Sequence, residues 1–259
     1  MRRMITFLVP MGMTGFLLVL AAPAAATDCP PDSVQSGNLC MDKYEASVWE
    51  TTDPTVIRLI QSGRITLAKL LAAGAVQHGV SSHDYGKGCL DTGNGCVDFY
   101  AVSIPRVTPS TYLTWFQAAA AARNSGKRLP TNAEWQVAAF GTPDLGTDDG
   151  TIDCNIGWYG DTLSTGSRSA CVSDVGAFDM VGNAAEWVAD WTPRSTFCIS
   201  AMFFGDRNCL AGTDGGSPGP GALLRGGGFA ERSDAGVFEV RGDIPPVLQH
   251  RAIGFRAAR

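Results

Sequence analysis

Apolar residues occur in short stretches separated by glycine and proline, and the pattern changes character along the chain. From Met4 to Leu20 almost every position is apolar, after Arg2 and Arg3 and before the small residues Ala24-Ala25-Ala26. This order predicts a secretory signal peptide over residues 1–26, cleaved after the alanines, and one domain over residues 27–259. Residues 40–50 alternate well enough to predict a strand. Residues 66–73 predict a short helix, with Thr66 as N-cap and Gly74 as stop. Thr114-Trp-Phe-Gln117 reads as a capping box opening an alanine-rich helix that ends near Asn124-Ser-Gly126. Thr131-Asn-Ala-Glu134 repeats the device after Pro130 and opens a second helix that stops at Gly141. Beyond Gly141, strands are predicted over 223–229, 235–241 and 253–256. Helices in the middle and irregular strands at both ends predict an α+β domain.

Charge and cysteine content narrow the class. Without residues 1–26 the chain carries 18 Lys+Arg against 25 Asp+Glu, a formal charge of −7. That balance excludes the clustered positive charge a nucleic-acid partner would need. No second apolar run approaches the ~20 residues of a membrane span, so none is expected after signal cleavage. Eight cysteines follow the signal as four close couples: Cys29 and Cys40, Cys89 and Cys96, Cys154 and Cys171, Cys198 and Cys209. An even count in an exported chain implies disulfides, and the spacing suggests neighbour pairing, although eight cysteines allow 105 connectivities. The 31 glycines and 14 prolines predict a loop-rich domain.

Four stretches then stand in order along the chain: Met41-Asp-Lys-Tyr-Glu45, Lys127-Arg-Leu-Pro-Thr-Asn-Ala-Glu-Trp135, Asp179-Met-Val-Gly-Asn-Ala-Ala-Glu-Trp187, and Arg225-Gly-Gly-Gly-Phe229 with Gly254-Phe-Arg256. Together they resemble the formylglycine-generating, or sulfatase-modifying factor, domain family. The resemblance implies that family's compact, loop-rich fold, related to C-type lectins, with short helices and irregular antiparallel strands.

It also implies chemistry. Relatives bind calcium at the third stretch, and carried over by position the ligands are the Asp179 side chain, the carbonyls of Gly182 and Ala184, and the Glu186 side chain. An all-oxygen set of this kind suits Ca²⁺. A second family site begins with an Asn-Ile pair, matched by Asn155-Ile156. The family's oxidases convert a sulfatase cysteine to formylglycine through two copper-binding cysteines spaced C-x-x-x-x-C. Here Glu231 and Gly236 stand at those positions and Gly228 replaces the strand's serine. Neither side chain can replace a soft thiolate on Cu(I). Neither copper nor iron is therefore expected, and His78, His83 and His250 read as chance surface histidines. Asp148, Asp149 and Asp153 read as a solvated turn, and Arg241-Gly-Asp243 as a chance tripeptide.

The resulting expectation is an exported protein, periplasmic or extracellular, that binds calcium and works as a non-catalytic binding or maturation-accessory module. Its partner would be a peptide, protein or glycan in a cleft framed by Trp187, Trp191, Phe229 and Glu231. The alternative is a metal-dependent oxidase on the same scaffold.

Overall fold

The computed structural model describes residues 28–157, 159–193, 199–203, 206–209 and 220–259. The chain opens with a hairpin of β1 (Ser33–Ser36) and β2 (Leu39–Asp42), joined through Gly37, whose φ of 62° suits the turn. β3 (Ser47–Glu50) follows and forms the centre of a three-stranded sheet, antiparallel to β4 (Val76–His78) and β5 (Phe99–Val102). The predicted strand over 40–50 is thus broken in two. Residues 43–46 leave the hairpin so that Glu45 turns inward and the Ala46 N–H reaches the Phe255 carbonyl at 2.8 Å.

α1 (Pro54–Gln61), unforeseen from sequence, starts at Asp53, whose carboxylate accepts the Thr55 and Val56 N–H groups, with Pro54 in the first turn. α2 (Leu67–Ala72) has the expected Thr66 cap. α3 (Trp115–Asn124) and α4 (Asn132–Ala139) begin at the two capping boxes, each with both reciprocal hydrogen bonds formed. α1 and α2 bury Val56, Ile60 and Leu70 against Trp49 and Val102 of the small sheet.

The larger sheet has the order β11-β6-β9-β10-β8-β7. Its strands are β6 (Ala185–Pro193), β7 (Ile199–Phe203), β8 (Asp206–Cys209), β9 (Pro220–Arg225), β10 (Val240–Arg241) and β11 (Ile253–Phe255). β9 begins before the predicted 223–229 segment and stops at Arg225, because Gly226 and Gly227 take φ of 81° and 75°. Of the predicted 235–241 strand only two residues pair. β6 sits between the two main apolar clusters, and alternation along it sends Trp187 into one with Leu113, Leu224 and Phe255. Its neighbour Val188 enters the other, with Met41, Trp135 and Met180.

Disulfides join Cys29 to Cys40, Cys89 to Cys96 and Cys154 to Cys171, as the spacing suggests. The fourth couple involves Cys198, outside the described residues. The end of the chain runs beside β2, with backbone hydrogen bonds between Cys40 and Arg259 in both directions. Among the described residues no helix is long and apolar enough to cross a membrane.

Candidate functional site

The turn after β9 positions Glu231 and Gly236, the two residues that the resemblance sets at the oxidase cysteine positions. A Cβ on Gly227 would collide with the Glu239 carboxylate and with Ala235, so the turn requires glycine. Beyond it the Phe229 N–H is held by the Asn183 carbonyl at 2.9 Å. Glu231 then points back, one oxygen accepting the Gly228 N–H at 2.9 Å and the other accepting from Arg241 Nη1 at 3.1 Å. Arg241 also donates to Asp243 through Nε and Nη2, at 3.2 and 3.1 Å, so the Arg-Gly-Asp tripeptide is an internal ion pair. Gly236 is buried, its N–H on the Gly226 carbonyl.

A cavity of about 290 Å³ opens beside Glu231. Leu224, Ile244, Leu248 and Ile253 supply apolar walls, while Glu231, Arg241 and His250 supply polar ones. His250 Nδ1 accepts the Ala252 N–H, which leaves Nε2 to carry the proton of the neutral ring. Burial and the Arg251 charge lower its pKa, so the ring is neutral near pH 7.

The expected cleft is not assembled as foreseen. Trp187 is fully buried, with its indole N–H on the Leu113 carbonyl, and Phe229 is buried beneath the Arg251 guanidinium. Trp191 packs instead on Trp115 and Phe116. The pairing register of β6 against β9 slips between Trp187 and Trp191, so the alternation that would align these two tryptophans is lost. Only Glu231 of the four lines the cavity.

Asp179, Gly182, Ala184 and Glu186 do share one buried region. Gly182, at φ 74°, can only be glycine because a Cβ would meet the Asn155 carbonyl and Ile156. Asp179, at φ 57°, accepts the Gly166 N–H at 2.7 Å. The Glu186 carboxylate is clasped by Arg256, with Nε at 2.8 and 2.7 Å from its two oxygens and Nη2 at 2.6 Å. The Trp135 indole N–H adds a bond of 2.6 Å to the same carboxylate. Glu45 completes the group, accepting from Asn183 Nδ2 at 2.5 Å and the Ala184 N–H at 2.9 Å. Burial, and then the charges of Asp179 and Glu186, push the Glu45 pKa well above the usual carboxylate range. Burial likewise lifts Asp179 to about 6.

This donor set does not fit calcium, because a guanidinium already occupies the carboxylate a divalent ion would need. At Asn155-Ile156 the Ile156 carbonyl accepts the Arg232 N–H at 2.7 Å. Asn155 Oδ1 is the buried oxygen there without a hydrogen-bond partner, far short of the six to eight oxygens of a calcium shell. Among the described residues no group of three His, Cys, Asp or Glu side chains could hold a metal ion.

The histidines are not all at the surface. His78 is buried, stacked on Tyr85 and bonded through Nε2 to Glu50 at 2.9 Å. Asp149 caps a tight turn by accepting the Thr151, Ile152 and Asp153 N–H groups, while Asp148 pairs with the buried Arg168.

Sequence reasoning gave no role to the buried bases or to their partners Asp42 and Asp32. Lys127 Nζ lies 2.7 Å from Asp32 and 2.6 Å from Asp42. Arg225 stacks on Trp135 and donates to Asn132, Gln136 and the Val237 carbonyl. The available signal was that every family stretch carries acids or bases among apolar neighbours.

A family model described as the sulfatase-modifying factor enzyme 1-like domain matches residues 29–259. A formylglycine-generating enzyme of Streptomyces coelicolor is 32% identical over 174 residues, covering 58% of this chain and 52% of that protein. A hercynine oxygenase of Mycolicibacterium thermoresistibile is 30% identical over 172 residues, 60% of this chain and 36% of the other. A serine/threonine-protein kinase pkn1 of Chlamydia caviae is 31% identical over 153 residues, 58% of this chain and 24% of the kinase. The chain therefore spans between a quarter and about half the length of these relatives. Among solved structures, PvdO from Pseudomonas aeruginosa aligns with a TM-score of 0.43 and 21% identity, over 89% of this chain and 88% of that one.

Proposed function

The chain belongs to the family of sulfatase-modifying factor enzyme 1-like domains, and from that premise we propose that it is an exported, non-catalytic member that binds a partner polypeptide in the Glu231 cavity. The observation that carries this reading is the state of Glu231. A carboxylate tied to Arg241 and to the Gly228 N–H takes the position that the resemblance gives to an oxidase's reactive sulfur. It can neither bind Cu(I) as a thiolate does nor cycle between thiol and disulfide. What the cavity offers is mostly apolar walls with a few polar groups, the usual make-up of a binding site.

Export rests on the apolar leader with its alanine site and on the three disulfides, which persist in oxidising compartments. Calcium has no place in the reading at Glu186: Arg256 supplies the positive charge there.

The competing reading, a metal-dependent oxidase, draws on the relatives named as enzymes. One set of measurements separates the two. The purified protein should show no reactive thiol, no stoichiometric copper or iron, and no conversion of a cysteine-containing sulfatase peptide. It should still retain members of an immobilised peptide library, and filling the cavity with His250→Trp should abolish that retention. Stoichiometric redox metal, or peptide oxidation, would overturn the binding reading.

A further inference from the structure

A second groove, of about 450 Å³, opens beside β6 between α3 and α4. Trp115 forms its wall, and its indole N–H is anchored on the Val188 carbonyl at 2.7 Å. Trp115 meets Trp191 edge-on, with ring centres 5.0 Å apart and planes at 78°, and Phe116 closes on Trp191 from another side at 5.7 Å. Trp191 remains 40% exposed. Leu129 and Ala189 add apolar surface.

The charges around this groove do not cancel. Arg128 is satisfied by both oxygens of Glu134, at 2.6 and 2.7 Å. Lys127 is neutralised by Asp32 and Asp42. Arg123 lines the groove from the last turn of α3, and its guanidinium forms no hydrogen bond or ion pair with any described residue. One uncompensated cation thus sits beside an aromatic corner, on a chain whose net charge is −5.

We propose that this groove docks an acidic segment of a partner polypeptide, with an apolar side chain against Trp115 and Trp191 and a carboxylate on Arg123. The rings meet edge-to-face and so form a corner, which suits an inserted side chain, whereas a sugar ring stacks on an open flat face. An arginine fork beside it selects carboxylate over hydroxyl.

The test uses three probes on the full chain, read by calorimetry and tryptophan fluorescence: acetyl-Asp-Phe-Asp-amide, acetyl-Lys-Phe-Lys-amide and an oligogalacturonate. The acidic tripeptide should bind, and Arg123→Glu should weaken it roughly three- to tenfold, the size expected from losing and reversing one exposed ion pair. The same variant should favour the basic tripeptide. Trp191→Ala should weaken the acidic tripeptide in the parent chain and the basic one in the Arg123→Glu background. His250→Trp, which fills the Glu231 cavity, should leave the acidic tripeptide unaffected, so that failure of the cavity reading is told apart from failure of this one. No binding, binding insensitive to Arg123→Glu, loss of binding in His250→Trp, or preference for the oligogalacturonate would each overturn the proposal.

Discussion

The Glu186–Arg256 pair decides whether this domain is held together by a guanidinium or by a metal, and two substitutions decide the matter. Glu186→Gln keeps the shape and can keep the Trp135 bond, but it removes the principal counter-charge of Arg256. Stripping one partner from a buried pair costs about 3–5 kcal/mol. Here Glu45 and Asp179 also act on Arg256, so the guanidinium is not left bare. The expected loss is therefore at the lower end, about 3 kcal/mol. Arg256→Met has the opposite result. It leaves Glu45, Asp179 and Glu186 buried together with only the charge of Arg168 acting on Asp179, and the expected loss is about 4–5 kcal/mol. At about 2–4 °C per kcal/mol for a domain of this size, the melting temperature should fall roughly 6–12 °C for the first variant and roughly 8–20 °C for the second. Circular dichroism melts in excess calcium and in chelator provide the assay. Both losses should be the same in the two buffers. If Glu186→Gln melts like the parent in chelator and drops only with calcium, or if Arg256→Met is the milder change, the reasoning is refuted.

Stability should also depend on pH in a direction set by the buried acids. Asp42 and Asp179 are both lifted to about 6 from the ordinary 3.8, chiefly by burial. The folded chain therefore binds protons that the unfolded chain releases, and this stabilisation is complete below about pH 4 and lost as pH rises through 6. Glu134 works in the opposite sense: its hydrogen bond with Arg128 lowers its pKa to about 2, so its contribution is lost as pH falls from 4.5 towards 2. The melting temperature should thus be higher near pH 5 than at pH 7.5, and a steady rise to pH 7.5 would contradict this account. Gly182→Ala should cost more than about 2 kcal/mol in a denaturant titration, since it adds αL strain to a collision with the Asn155 backbone, and a smaller loss would contradict this.

The sequence made some features readable because their causes are local. Both capping boxes act within four residues, so α3 and α4 could be located from Thr114, Gln117, Thr131 and Glu134 alone. Close cysteine spacing likewise indicated four pairs, of which the three among the described residues form. The cleft was misread because strand alternation was carried through β6 from Trp187 to Trp191, where the register slips. The ionic centre was not readable for another reason. Arg256 lies 70 residues from Glu186, and Lys127 lies 95 and 85 residues from Asp32 and Asp42. Nothing in a linear pattern says that buried charges so far apart will meet. A carboxylate quoted as a metal ligand from its family position had, in three dimensions, a closer cation.

The three disulfides among the described residues link cysteines only 11, 7 and 17 positions apart, whereas the buried Lys127–Asp32 and Glu186–Arg256 pairs join distant parts of the chain. Covalent and electrostatic fastenings thus work at different ranges. Each sulfur finds its mate within a single loop, so oxidation can proceed while the rest of the polypeptide is still emerging, without a search among remote thiols. A reductant should correspondingly loosen three separate loops and leave the junctions between sheets and helices in place.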